Sequence, residues 1–166
     1  MPQLLITDEA RAFVGVDVPL GTGIVSRREF QRWAAALDDW NPLYFDDEFA
    51  REYGYREAVA PALFIGCVTR SPVALGSLRP DGLPAQPSSG MVPLPYTPRY
   101  MAGGDVWEFL ASAYDGDRIT ASRRIVALEQ KEGRSGPFVI ITGRTSYVNQ
   151  DNVTIALCTD TILARK

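Results

Sequence analysis

Hydrophobic residues recur at helical spacing directly after Ser26. Phe30, Trp33, Ala34 and Leu37 stand at i, i+3, i+4 and i+7, which makes one face of an amphipathic helix apolar. Ser26-Arg27-Arg28-Glu29 has the pattern of a capping box, with Ser26 as N-cap and Glu29 three positions on. That helix should end near Asp38, because Pro42 disfavours helical backbone at Asn41. Asp46 suits the N-cap of a second short helix, Asp47 to about Tyr53, closed by Gly54. From Ala58 to Val68 the chain is apolar nearly all round. Pro61 fits a first helical turn, and Ala62, Gly66 and Cys67 allow close packing, so the stretch predicts a buried helix of roughly three turns.

Periodicity fails from Ser71 to Pro98, where Pro80, Pro84, Pro87, Pro93, Pro95 and Pro98 sit among scattered glycines. A loop this long inside a domain is usually functional or disordered. Beyond it the pattern turns to β. Val106–Tyr114, Ile119–Gln130, Phe138–Asn149 and Val153–Ala164 are rich in Val, Ile, Thr, Tyr and Phe, and turn residues separate them. Long strands with short turns predict an antiparallel meander, which an early strand around Gly15–Val25 can join. Helices first, one of them buried, then a run of strands is the order of an α+β fold, its antiparallel sheet wrapped around a central buried helix.

A length of 166 residues suits one domain with one core, spanning 1–166 with the loop at about 71–98 as its excursion. The formal charge of −3 and the short basic pairs Arg27-Arg28 and Arg123-Arg124 argue against nucleic-acid binding. The N-terminus has no basic region followed by an apolar one, and no apolar run approaches a bilayer's thickness, so a cytoplasmic protein with no membrane contact is expected. Cys67 and Cys158 match no metal or redox spacing and read as reduced thiols. Histidine is absent altogether. The base of Ser-His and Cys-His systems is therefore missing, as is the commonest ligand of catalytic zinc, and no metal site is expected. Any chemistry must use carboxylates, tyrosines, lysines, backbone donors or another chain's groups.

The stretch between the two helices, Asp38-Asp39-Trp40-Asn41-Pro42-Leu43-Tyr44-Phe45-Asp46, has two readings. Asx residues before a proline commonly stop a helix. The same run also resembles the signature of the MaoC-like dehydratases and (R)-specific enoyl-CoA hydratases of the hot-dog fold, approximately G-D-x-N-P-[LIV]-H followed by an acidic helix start. In that register Asp39 falls on the catalytic aspartate and Asn41-Pro42-Leu43 match residue for residue. Tyr44 takes the place of the catalytic histidine and Asp38 that of the glycine. Val59-Ala60-Pro61-Ala62-Leu63 lies where the family carries a V-H-G-M-like start to its central helix. "SAYDGDRITASRRIVALEQKEGRSG" is similar to its P-V-R-P-G-D-x-L strand and hairpin. The resemblance runs from about Ser26 to Lys166 and is strongest to the N-terminal type of MaoC-like domain, which often works beside a second hot-dog chain or domain with an intact D-x-N-P-x-H.

The resemblance implies a chemistry. Hydrating an α,β-unsaturated thioester needs a water deprotonated as it attacks the β-carbon, a proton delivered to the α-carbon, and a stabilised enolate oxygen. Asp39, Asn41 and Tyr44 fall on the water-handling positions. Backbone N–H groups at Ala62 and Leu63 fall where the thioester oxygen is held, at a helix start with free donors. Arg99, Arg123 and Arg124 are candidates for the phosphates of coenzyme A or of a carrier protein's phosphopantetheine, which serve as substrate carrier; no other cofactor is implied. Asp titrates near about 3.9 and Tyr near about 10, so the pair is poorly poised at neutral pH. Trp107 and Phe109 read as packing residues.

Three readings follow. The chain is the supporting half of an enoyl-thioester hydratase or 3-hydroxyacyl-thioester dehydratase, paired with a His-bearing MaoC-like chain. Or it is a homodimer that binds acyl thioesters without turning them over. Or it is a self-sufficient hydratase working through Asp39 and Asn41.

Overall fold

The computed structural model describes residues 4–82 and 91–166. Helix α1 (Asp8–Ala12), which the hydrophobic pattern does not mark, has Thr7 as N-cap and buries Ala10. Strand β1 (Asp17–Ile24) leads to α2 (Arg27–Ala36), which buries Phe30 and Ala34 as its periodicity predicts. The Ser26 side chain makes no cap bond, however. The Arg27 N–H donates instead to Asp115 Oδ1 at 2.7 Å, so the expected capping box is replaced by a cap from a distant turn. The chain leaves α2 through Leu37 and Asp38, the latter at φ +56°. Helix α3 (Asp47–Glu52) is capped as expected: Asp46 accepts from the N–H groups of Glu48 and Phe49, and Gly54 follows at φ +88°.

The apolar segment is shorter as a helix than predicted. Val59 bridges to Tyr114 in an extended conformation, and a 3-10 turn (Ala62–Phe64) then runs into α4 (Ile65–Val68). Pro61 is not inside the helix but just before it. Phe64, Ile65 and Gly66 are buried while Ala62, Leu63 and Cys67 are exposed, so this helix has an open face.

Strands β2 (Arg99–Phe109), β3 (Arg118–Gly133), β4 (Gly136–Val148) and β5 (Thr154–Arg165) complete the architecture. The described residues form one five-stranded antiparallel sheet in the order β1-β3-β4-β5-β2. Only β3, β4 and β5 make the expected meander. β2 begins and ends earlier than predicted and crosses to the far edge, where it pairs with β5 alone. Residues 110–114 leave the sheet to lie against Val59 and Ala60, the Ala60 N–H donating to Ala113 O at 2.9 Å.

Two apolar clusters cover the sheet's inner face. Phe30, Phe64, Ile65, Ile119, Tyr147 and Ile155 belong to one, and Leu5, Ile6, Val92, Ile125, Val139 and Ile141 to the other. Close backbone contacts fix α4 on this face. A Cβ on Gly23 would overlap the Val68 carbonyl oxygen, and Gly66 sits against the Trp107 ring. The proline-rich stretch divides. Residues 83–90, with Pro84 and Pro87, lie outside the described residues. Val73 and Leu75 are exposed, whereas Val92 is buried and the Tyr96 hydroxyl donates to Ala164 O at 3.1 Å, so its second half is part of the core.

Candidate functional site

Pro42 sets the local geometry of the Asp39–Tyr44 stretch. It sits at the start of a 3-10 turn (Pro42–Tyr44), and Asn41 Oδ1 accepts the Leu43 N–H at 3.1 Å as its cap. Asp39 Oδ1 accepts the Asn41 N–H at 3.3 Å. Both candidate residues therefore hold the turn, as the helix-stop reading of this stretch expects. The Gln31 side chain donates to Tyr44 O at 3.0 Å and ties the turn to α2.

Asp39, Asn41 and Tyr44 come together. Burial raises the Tyr44 hydroxyl above the ordinary tyrosine range, and the neighbouring Asp39 charge raises it further; the Asn41 side chain, bonded to the hydroxyl, pulls the other way. The result is a phenol that stays protonated at neutral pH, a donor and not a base.

Tyr44 also opens onto a cleft of about 330 Å³. Its floor is Val59, Ala60, Ala62 and Ile65 at the start of the central helix. Its wall is Phe109 to Ala113, where the chain leaves β2, with Leu43, Tyr55 and Ile155 closing it. Asp39 and Asn41 lie outside this lining. Ala62 lines the cleft and Leu63, beside it, is 52% exposed. Among the described residues neither of their N–H groups is bonded to a backbone carbonyl, as the first turn of a helix dictates.

The expected phosphate ligands do not gather here. Arg123 is buried and its guanidinium makes a two-pronged ion pair with Asp160, Nη2 to Oδ2 at 2.8 Å, packed on Gly143. It is a structural residue and not the phosphate ligand expected from the sequence. Its position in β3 could not reveal this, because Asp160 lies 37 residues away. Arg124 pairs with Asp17 on the outer face. Arg99 lies at the opposite end of β2 from Phe109, ten residues or about 33 Å along the strand.

Trp107 packs as expected, stacked on Tyr147 at 5.5 Å between ring centres, but Phe109 is 45% exposed and belongs to the cleft wall. Tyr55 and Leu110 to Ala113 are cleft residues that the sequence pattern does not single out. Both cysteines are free, and burial, with Asp105 and Asp160 nearby, pushes the Cys158 thiol up to about 11, which makes it no nucleophile. Among the described residues no group of His, Cys, Asp and Glu could hold a metal ion, and no helix is long and apolar enough to cross a membrane.

The chain has recognisable relatives. A family model described as the FAS1-like dehydratase domain region matches residues 12–158. A UPF0336 protein of Clavibacter michiganensis is 23% identical over 142 residues, covering 86% of this chain and 85% of its own. Among solved structures, a chain of the ChsH1-ChsH2 complex of Mycobacterium tuberculosis superposes with a TM-score of 0.76. It is 20% identical, and the match covers 97% of this chain and 96% of that one. A chain of the HadBC (3R-hydroxyacyl-ACP dehydratase) complex of the same organism gives 0.64 at 18% identity, covering 96% and 99%.

Proposed function

Because this chain belongs to the family of the FAS1-like dehydratase domain region, a MaoC-like hot-dog family, we propose that it is one half of an enoyl-thioester hydratase or 3-hydroxyacyl-thioester dehydratase. A second hot-dog chain bearing D-x-N-P-x-H supplies the acid–base pair. The observation that carries this reading is the state of the histidine position. Tyr44 stands there with a hydroxyl that keeps its proton, while Asp39 and Asn41 are engaged in the turn and lie outside the cleft.

The binding side of the site is better preserved than the proton-transfer side. The cleft is mainly apolar, as an acyl chain requires. The N–H groups of Ala62 and Leu63 suit a thioester oxygen, whose charge grows as the enolate forms. Tyr44 offers a further donor. An acyl-CoA or an acyl-carrier thioester fits this arrangement equally. Two of the structural relatives, ChsH1-ChsH2 and HadBC, are complexes of paired chains, which supports an assembly of two hot-dog chains.

The test is hydration of a trans-2-enoyl-CoA by the purified chain, alone and with a D-x-N-P-x-H hot-dog chain. Turnover only with the partner, unchanged when this chain carries Asp39→Asn, is the expected result. Turnover by this chain alone that vanishes in Asp39→Asn overturns the supporting role and makes it a self-sufficient enzyme.

A further inference from the structure

Among the described residues, the side chains with a polar atom that line the Tyr44 cleft are Tyr44 itself, Tyr55 and Ser112; no lysine or arginine does. The Tyr44 hydroxyl is engaged by Asn41. The other two hydroxyls are not engaged. Tyr55 and Ser112 are half-buried, and among the described residues neither hydroxyl is hydrogen-bonded to the protein.

Their places are fixed from opposite sides. The Gly54 N–H donates to Arg51 O and the Tyr55 N–H to Ala50 O, both at 3.0 Å, with Gly54 at φ +88°. These are the two bonds of a Schellman motif, so Tyr55 leaves α3 in a set direction. Just beyond it, the Ala58 N–H is held by Asp47 at 2.8 Å and the Val59 N–H by Leu43 O at 3.0 Å. Tyr55 is thereby clamped beside the turn that carries Tyr44, near enough to add to the rise of the Tyr44 hydroxyl. Ser112 comes from the other wall. There the N–H groups of Leu110 and Ala111 reach Ile155 O at 2.9 and 3.2 Å, and Ala113 O accepts the Ala60 N–H. Two braced segments thus turn unpaired hydroxyls onto one mainly apolar chamber.

A plain hydrocarbon chain entering this chamber displaces water from both hydroxyls and offers no bond in return. Leaving a desolvated hydroxyl unpaired costs more than an ordinary hydrogen bond contributes. A ligand with an oxygen of its own removes that cost, and a site built this way rejects the analogue lacking the oxygen. Hydroxyls donate and accept but carry no charge. They suit an alcohol or a ketone and supply no counter-charge to a carboxylate or phosphate.

We propose that Tyr55 and Ser112 form a polar subsite that recognises a neutral oxygen, hydroxyl or carbonyl, carried on the acyl group beyond the carbons that react. The substrate class is then an oxygenated acyl thioester and not a plain fatty one. This rests on the reading of the cleft as the acyl site of a thioester hydratase and adds its specificity.

The experiment uses the assembly as purified, with its partner chain where one co-purifies. Octanoyl-CoA is titrated calorimetrically, then hydroxyoctanoyl-CoAs with the hydroxyl at successive carbons from the fourth to the last, then the matching oxo-octanoyl-CoAs. None has a double bond or a 3-hydroxyl, so binding is read apart from turnover. At least one oxygenated probe binds at least about fivefold more tightly than octanoyl-CoA, a factor within reach of one neutral hydrogen bond. Its position on the chain locates the subsite, and the better of the alcohol and ketone series identifies the oxygen.

Tyr55→Phe and Ser112→Ala each reduce that preference and together abolish it, while octanoyl-CoA binds no more weakly than to wild type. Tyr53→Phe, which alters an exposed tyrosine of the same helix end outside the cleft, keeps the preference. The preference is a ratio of two affinities on one preparation, so partial misfolding of a variant does not imitate its loss. Equal affinity for all probes, a preference that survives the double variant, or no binding of any probe overturns the subsite. Enoyl-thioester turnover without any preference leaves the hydratase reading standing and removes the subsite. A Tyr55-dependent preference without turnover by any assembly does the reverse.

Discussion

Asp115 and Arg27 are 88 residues apart, yet the carboxylate of the first accepts the backbone N–H of the second at 2.7 Å. The turn before β3 thereby caps α2. Its neighbours bind as well: Asp117 is buried, accepts from the Tyr114 N–H at 2.8 Å and from Gln150 Nε2 at 3.1 Å, and its carbonyl receives the Val25 N–H at 2.8 Å. One turn thus fixes the end of β1, the start of α2 and Tyr114, which follows the cleft wall at residues 109–113.

Asp115→Ala removes a helix cap and lowers stability by about 1 kcal/mol, whereas Ser26→Ala, which removes none, costs less than about half of that. Urea unfolding of the two variants measures the difference. Equal losses would restore the local capping box.

Arg123 and Asp160 form an ion pair between the two apolar clusters. Asp160→Ala leaves the guanidinium buried without a counter-charge and lowers stability by about 3–5 kcal/mol. Arg123→Met, assayed by calorimetry, leaves coenzyme A affinity unchanged. A loss of affinity in the folded variant would make Arg123 a phosphate ligand after all.

What could be read from the chain divides by distance in sequence. Phe30 and Ala34 declare a buried helix face within one turn of each other, and Asp46 caps a helix that starts at the next residue. Such contacts are decided locally. β3, β4 and β5 also appear near their predicted positions, because short turns leave adjacent strands little choice. The placement of β2 depends instead on which sheet edge remains free once β1 has taken the side of β3, and no local pattern encodes that. The same holds for Asp115 as a cap and Asp160 as the partner of Arg123. At the site, the Asp39-x-Asn41-Pro42 spacing identifies the turn, but the cleft needs Tyr55 and residues 109–113, which carry no motif.

Gly23 lies where β1 passes the end of α4, and its backbone conformation is open to any residue; the constraint is space alone. A Cβ there meets the Val68 carbonyl, a backbone group that moves only with the helix. Gly23→Ala therefore destabilises by about 1–3 kcal/mol, as overpacking of a close contact does. It also shifts α4 and weakens thioester binding. Gly76→Ala, with nothing within 4 Å of the added Cβ, is the matched control and leaves both unchanged in thermal unfolding and titration.

Asp47 links α2, α3 and the approach to the cleft. It pairs with Arg27 and accepts the Ala58 N–H at 2.8 Å, and these bonds, that to Arg27 first, lower its carboxyl to about 2. Depressed below its unfolded value of about 3.9, it contributes stability that is complete above about pH 4 and lost as the pH falls toward 2. Asp47→Asn is accordingly less stable than wild type at pH 6, and the two converge by pH 2. Thermal unfolding across that range tests the sign, which reverses if the carboxylate is strained by its burial rather than held by its partners.

In the proposed function Tyr44 takes the family's histidine position without its chemistry. Its hydroxyl titrates above the ordinary tyrosine value, so over the physiological range it is neutral and only donates. Removing a general base costs on the order of 10²–10⁴ in rate; Tyr44→Phe removes a hydrogen-bond donor at the cleft and no base. With the His-bearing partner present, the variant keeps kcat within about twofold of wild type, since no proton-transfer contribution of that size is lost. KM for the enoyl thioester rises, and the pH profile of kcat keeps its shape. A fall in kcat of a hundredfold or more, or the loss of an inflection from the profile, would make Tyr44 a working acid in its own right and the chain more than a supporting half.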